Sequence, residues 1–317
     1  MSLVRADAPA PSQPVAEKAA RPTDRKREGS WSAYALLLPA GVFYVSFQLF
    51  PILVAFALSF FSWDGIDIRQ AKFLGLANYV TLVHDGLLWR SVWHNLVVAL
   101  AVLIIQCVGS FVIAAIIQAG IKGGRFFRLV FFAPVVISSV AVGMLAIFVF
   151  SPSQGLVNEA LSAIGLGGLR QPWLGSGTWA LPAVIATYIL QNFGLSVLLF
   201  ISGLGQVDQD LLEAAELDGA SQGRILWQVV FPVIRPVTTT VFLLGLVTGF
   251  KLFDTVYVMT AGGPFHASDT IVTYLYGVSF GGNDIGYGNA IGVLLFVILL
   301  VIALIQLRLT RTGKETE

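Results

Sequence analysis

Between two long apolar runs lies a polar stretch, residues 205–236, reading GQVDQDLLEAAELDGASQGRILWQVVFPVIRP. Its informative residues are Glu213, Ala214, Ala215, Gly219 and Ala220. That set suits contact rather than catalysis. Carboxylates pair with polar partners, alanines let another surface approach, and glycine turns the chain where other residues would be strained. Asp208 and Asp210 suit a helix N-terminus, where they complement the dipole, and Leu211, Leu212, Ala215 and Glu216 continue that helix. Gly219 can end it in the left-handed conformation. A second helix is predicted from Gln222 to Val230, stopped by Pro232 and Pro236, which redirect the chain. The first helix should expose Asp210, Glu213 and Glu216 and keep an apolar side of Leu211, Leu212, Ala214 and Ala215. Two readings are open: a solvated acidic cap, or a docking knob for a cytoplasmic partner.

A second set of polar groups sits inside apolar runs. One run holds Tyr188, Gln191 and Asn192; the next holds Gly245, Thr248, Gly249, Lys251 and Asp254. Polar groups in a membrane span are costly and commonly face a cavity or a partner. Hydroxyls and amides beside an aromatic ring suit a sugar, which offers hydroxyls on its rim and an apolar face. Each feature also has a purely structural reading. Gln191 and Asn192 can bond between helices, and Gly245 with Gly249 forms the G-x-x-x-G of close helix contact. Lys251 and Asp254 can line a path or form an i,i+3 ion pair that lowers the burial cost of about 2.5–3.5 kcal/mol per isolated charge.

Enzyme chemistry finds little support. His84, His94 and His266 are scattered without metal-ligand spacing, and Cys107 stands alone. No nucleophile elbow or pair of carboxylates occurs in the spans. No G-x-x-x-x-G-K-[ST] loop is present to cradle ATP phosphates. No cofactor or metal is therefore expected on this chain. The formal net charge of +1 predicts no nucleic-acid partner.

The elements that must position these groups follow from composition. Of 317 residues, 56% are hydrophobic and only 12% charged. A soluble domain carries roughly 25% charged residues, so this surface must be wetted mostly by lipid. An all-α, polytopic membrane fold with six spans is predicted, because each run is long and continuous rather than alternating. The spans are Tyr34 to Phe61, Asn95 to Ala119, Leu129 to Phe150, Trp179 to Leu204, Val237 to Met259 and Tyr287 to Leu307. The six-helix membrane domain covers 31–308 and includes the 205–236 loop. Residues 1–30, rich in Pro, Ala and charge, read as a disordered cytoplasmic tail, and 309–317 as a second tail. Lys and Arg in the connections number fourteen on the side of both termini and four on the other, which puts both termini and the loop in the cytoplasm. The connections Ser62 to Ser91, Ser151 to Thr178 and Ala261 to Gly286 then lie outside, the second with an amphipathic stretch Leu156 to Ile164.

Glu213-Ala214-Ala215, three residues, Gly219, and then Phe231-Pro232 about a dozen later resemble the EAA signature of permease subunits of binding-protein-dependent ABC importers. The resemblance extends over nearly the whole chain after the tail. It includes Gly75-Leu76-Ala77-Asn78-Tyr79, Phe131-Phe132-Ala133-Pro134, Gly155-Leu156-Val157-Asn158, Phe250-Lys251-Leu252-Phe253-Asp254 and Gly262-Gly263-Pro264. It is nearest to the carbohydrate branch, of maltose or glycerol-phosphate type. Two departures are Val207-Asp208 where the family often has Ile-Pro, and Phe231-Pro232 where it often has Leu-Pro.

The resemblance implies an importer type I permease fold in the plasma membrane of a bacterium. It implies coupling through Glu213, Ala214, Ala215, Asp218, Gly219 and Ala220 to a dimer of separate ATPase subunits, which would hold the ATP and Mg. It further implies a second permease subunit and an extracytoplasmic solute-binding protein, with the solute path in the fourth and fifth spans. A secondary transporter or channel, or a polytopic membrane enzyme, is the alternative.

Overall fold

The computed structural model describes residues 30–312. The expected tail therefore falls, but for Ser30, outside the described residues, as do 313–317. The chain divides at Ile52 into two units. The first apolar span, α1, is Leu37–Leu58, with a π-helical turn at Val45–Leu49.

From Leu53 onward the chain builds a helical unit with its own core. Strand β1 (Phe61–Ser62) pairs antiparallel with β2 (Lys72–Phe73), Phe61 opposite Phe73. Helix α2 (Ala77–His84) follows. The buried Asn78 amide donates to the carbonyls of Ser59 and Phe61 at 2.8 and 2.9 Å, so it closes backbone left open where the first span ends.

Helix α3 (Gly86–Gln118) starts nine residues before the expected Asn95. Asp85 caps it, accepting from the N–H groups of Leu87 and Leu88 at 3.0 and 3.1 Å. Those first turns hold Trp89, Arg90 and His94, polar enough to hide them from a count of apolar residues. The other Asp85 oxygen accepts the hydroxyls of Tyr274 and Tyr287 at 2.7 and 2.6 Å. Burial pushes this carboxyl upward, but the two tyrosine and two backbone hydrogen bonds together outweigh it and hold it below the usual carboxylate range.

The expected third span is not one straight helix. It is α4 (Gly124–Val136) and α5 (Ser139–Val149), bent by 102°. Ile137 and Ser138 between them are extended, with ψ of 139° and 138°. A break in the hydrogen-bond ladder is tolerable at membrane depth only where other groups meet the freed backbone. Helix α7, below, supplies them.

Helix α6 (Leu156–Ala163) matches the expected amphipathic stretch. The buried Asn158 holds its surrounding loop: its amide donates to the carbonyls of Pro152 and Gln171, and its oxygen accepts from Gln171 N–H and Trp173 Nε1. Helix α7 (Ala180–Leu204) agrees with the fourth span to one residue. It is the most enclosed span, with 61% of its apolar window buried against 11% for the last.

Helix α8 (Gln209–Leu217) precedes α9, which runs unbroken as Gln222–Phe250. The predicted stop at Pro232 and Pro236 is therefore corrected, and so is a fifth span reaching Met259. A π-helical turn at Leu226–Val230 sets the backbone one residue out of the α ladder just before Pro232, so the missing N–H and the ring are accommodated. The chain leaves α9 at Lys251 and starts a separate short helix, α10 (Asp254–Thr260). Another apolar helix, α11 (Ile271–Gly281), lies within the connection expected at Ala261 to Gly286. The last span, α12, is Ile285–Arg308, and helical backbone continues to Thr312, past the expected boundary at 308. Among the described residues, five helices are long and apolar enough to cross a membrane, six when the bent pair counts as one.

Candidate functional site

The loop that carries the acidic and small residues is a rigid elbow. Asp208 accepts the Asp210 N–H at 3.0 Å and so starts α8. At the other end Gly219 has φ +75°. There Ala220 N–H donates to Ala215 O and Gly219 N–H to Glu216 O, both at 3.0 Å. That pair of bonds closes the helix on its last carbonyls and needs a left-handed residue at position 219.

One face of the elbow is held. Leu212, Ala215 and Ala220 pack on a core of Ala114, Val197, Phe200, Ile225 and Ile234, drawn from α3, α7 and α9. The opposite face is open. Glu213, Ala214, Asp218 and Gly219 are exposed, and a Cβ at Gly219 would meet nothing within 4 Å. The expected apolar side is thus corrected: Leu211 and Ala214 point away from the bundle. With them goes Leu217, which the sequence reading passed over and which is 90% exposed. Leu211, Ala214 and Leu217 recur at helical spacing, three apart, so they make an outward apolar stripe rimmed by Glu213 and Asp218.

The second set does not form one cluster. Tyr188 is buried, and its hydroxyl donates to Thr248 Oγ1 at 2.6 Å, joining α7 to α9. Gln191 is buried and donates to Ile137 O at 3.0 Å and Ser139 Oγ at 3.3 Å. It therefore caps the break between α4 and α5. Three residues on, Gly194 lets α4 approach: a Cβ there would lie 1.9 Å from Phe131 O. Asn192 donates only to Tyr188 O on its own helix, at 2.9 Å.

Gly245 and Gly249 are buried against α3, where Cβ atoms would meet Val102 and Val98 side chains at 2.8 and 3.6 Å. Lys251 and Asp254 are both exposed, and no ion pair joins them, so the i,i+3 expectation is corrected. The reason is the chain break: Lys251 caps the C-terminal end of α9 and Asp254 opens α10, so no single helix turn brings them together.

Asn95 is the residue that sequence reasoning missed most completely. It is fully buried. Its amide donates to Gly249 O and Phe250 O at 3.1 and 3.2 Å, and its oxygen accepts the Ile271 N–H at 2.7 Å. One side chain thus closes the end of α9 and the start of α11. The signal available was an amide at the head of an apolar run. Beside it the His94 ring lies 2.8 Å from Asp269 O, and Thr270 donates to Leu252 O at 2.7 Å. Gly262, at φ +84°, leaves the space that the Asp269 carboxylate fills.

Residues 110–312 match the family described as binding-protein-dependent transport system inner membrane component. The chain is 34% identical over 284 residues to the probable ABC transporter permease protein YurN of Bacillus subtilis, covering 89% of this chain and 97% of that one. It is 31% identical to the multiple sugar-binding transport system permease protein MsmF of Streptococcus mutans, covering 91% of this chain and 98% of the other. Its fold matches a chain in the crystal structure of a bacterial alginate ABC transporter in complex with an alginate pentasaccharide-bound periplasmic protein. The TM-score there is 0.77 at 24% identity, over 89% of this chain and 94% of that chain.

Proposed function

This chain belongs to the family of binding-protein-dependent transport system inner membrane components, and we propose that it carries a neutral sugar or related small polar solute inward across a bacterial plasma membrane. It is a permease subunit of an ATP-binding-cassette importer. In the proposed assembly a second, different permease subunit completes the path, an extracytoplasmic binding protein delivers the solute, and two separate ATPase subunits hold ATP and Mg. Both termini and the elbow face the cytoplasm. Glu213, Ala214, Ala215, Asp218, Gly219 and Ala220 are the coupling residues, and Tyr188, Gln191, Asn192, Gly245, Thr248, Gly249 and Lys251 lie along or beside the path.

The observation that carries this reading is the elbow's division into a packed face and an open one. Its packed face joins the core shared by α3, α7 and α9, so a push on the open face moves those helices together rather than melting a loop. Helix α9 then acts as a lever. At a rise of 1.5 Å per residue its 29 residues span about 40 Å, with no break between the elbow and the Asn95 junction. An acidic rim suits basic groups on an ATPase, and the Leu211–Leu217 stripe gives the contact an apolar centre.

The test is uptake by the intact importer, with the chain's ATPase, second permease and binding protein, in proteoliposomes. Radiolabelled maltotriose and arabinotriose serve as probes, with glycerol 3-phosphate for comparison. Accumulation of a neutral sugar that needs both internal ATP and the external binding protein is expected. Movement by this chain alone, without ATP, would instead make it a channel or secondary transporter.

A further inference from the structure

Four aromatic rings adjoin one another at the end of α9 remote from the elbow. Phe253 stacks on Tyr257 with centroids 5.1 Å apart and planes 18° from parallel. Tyr276 lies 5.3 Å from Phe253 and 5.2 Å from Tyr257, and Phe280 lies 5.0 Å from Tyr276. Phe253 lies just before α10, Tyr257 in it, and Tyr276 and Phe280 in α11, separate elements that the fold brings together. A core cluster would be enclosed, yet Tyr257, Tyr276 and Phe280 are 44%, 37% and 64% exposed.

The neighbours of this ladder indicate what bathes it. Lys251 and Asp254 bracket Phe253 in the chain, both exposed and without an ion pair to each other. Charges so placed are disfavoured in hydrocarbon and welcome in a water-filled vestibule. An aromatic belt at the lipid surface is built of Trp and Tyr, whereas Phe253 and Phe280 make up half of this ladder. A wet aromatic ladder with a cation, an anion and two phenols at hand has the composition of a carbohydrate platform. The C–H face of a sugar ring is weakly positive and meets the negative face of an aromatic ring. The rim hydroxyls find donors and acceptors around it.

We propose that Phe253, Tyr257, Tyr276 and Phe280 form a stacking platform on which a glycoside rests before it enters the membrane path. The proposal rests on the solute being a glycoside. It adds to the Tyr188–Thr248 region a second, earlier site with its own residues. Stacking needs a flat π face, which Phe keeps and Leu lacks, whereas lipid contact or helix packing needs only apolar volume.

The experiment uses the intact importer in proteoliposomes, with whichever of radiolabelled maltotriose and arabinotriose the wild type accumulates. In the double variant Tyr257→Leu/Tyr276→Leu, uptake at a fixed subsaturating level of loaded binding protein should fall about tenfold, the product of two lost ring contacts. Tyr257→Phe/Tyr276→Phe should stay within about twofold of wild type. Phe280→Leu, at the most exposed ring, should give a severalfold loss without affecting assembly, and it carries the test if the double variant fails to assemble. A wild type that accumulates neither sugar overturns the glycoside reading, and the platform with it. A transporting wild type matched by its Leu variants overturns the platform alone, as does an equal loss in the Phe and Leu variants. Loss of the second permease from the Phe280→Leu complex would assign the rings to subunit packing instead, and equally overturn the proposal.

Discussion

Gly219→Val should leave the chain inserted and stable while solute uptake falls by at least about tenfold, with the ATPase subunits still hydrolysing ATP. Two separable costs underlie this expectation. The first is local: φ at position 219 is +75°, and a left-handed conformation costs a side-chain-bearing residue roughly 1–2 kcal/mol, more for a β-branched one. That is too small to unfold a bundle whose core lies elsewhere, but it is enough to open the two hydrogen bonds that end α8 and re-aim the elbow. The second would arise only against a docked partner, since a Cβ at 219 would meet nothing of this chain within 4 Å. Gly219→Asn separates them, since Asn tolerates the left-handed region but fills the open space. Uptake by Asn near wild type, with Val inactive, would place the requirement in the backbone. Loss in both variants would place a docked surface against residue 219. The measurement is ATPase rate and uptake on the same proteoliposomes.

Asn95→Leu should cost the fold itself. The substitution removes three hydrogen bonds and strands Phe250 O and the Ile271 N–H in a buried setting, with Gly249 O left to its 3.3 Å bond from Leu252 N–H. Each buried polar group left without a partner costs about 1–3 kcal/mol, so a loss of roughly 3–5 kcal/mol is expected against a typical total of 5–15. Thermal unfolding in mild detergent, read by loss of monodisperse protein, measures it. Asn192→Leu is the internal comparison. Its amide reaches only Tyr188 O within the same helix, which is already part of the α ladder, so stability should change by less than about 1 kcal/mol. Equal destabilisation by the two changes would contradict the account of Asn95 as a junction.

These two asparagines show what sequence can and cannot convey. Asn192 interrupts an apolar run and so signals cost, whereas Asn95 stands only at the head of one. Sequence alone favoured Asn192, because Tyr188 and Gln191 lie nearby. The residue that matters more is Asn95, whose partners lie 154 and 176 positions away. Local periodicity carries no information on such separations.

The spans themselves were legible, because lipid imposes length and continuity. Helix α7 was placed to a residue. Where the reading erred, backbone geometry prevailed over composition. Pro232 and Pro236 look like stops, yet a π-helical turn prepares the backbone for Pro232 and the helix runs on past Pro236. Leu129 to Phe150 looks like one span, yet Ile137 and Ser138 turn it by 102°, a break sustained by Gln191 from another helix. The elbow was the most legible part of the site, because capping is local: Asp208 and Gly219 act on neighbours within a few residues. Which face of α8 would be open was not local, and Leu217 was missed because exposure depends on what Leu212 and Ala215 pack against.

Several motif residues now have a physical reason to be where they are. Asn78 and Asn158 close loop backbone, Phe131 meets Gly194 at a helix crossing, and Gly262 makes room for Asp269. These are duties of a membrane scaffold, where each freed backbone group must find a partner within the protein.

The central claim is that the open face of α8 meets an ATP-hydrolysing subunit. A photoreactive residue placed at position 217 in native membranes tests it most directly, with the same residue at position 304, on the exposed side of α12, as the comparison. The account predicts an adduct with an ATP-binding-cassette ATPase from 217 and none from 304. Labelling at 217 that captured only lipid, water or this chain itself would contradict it.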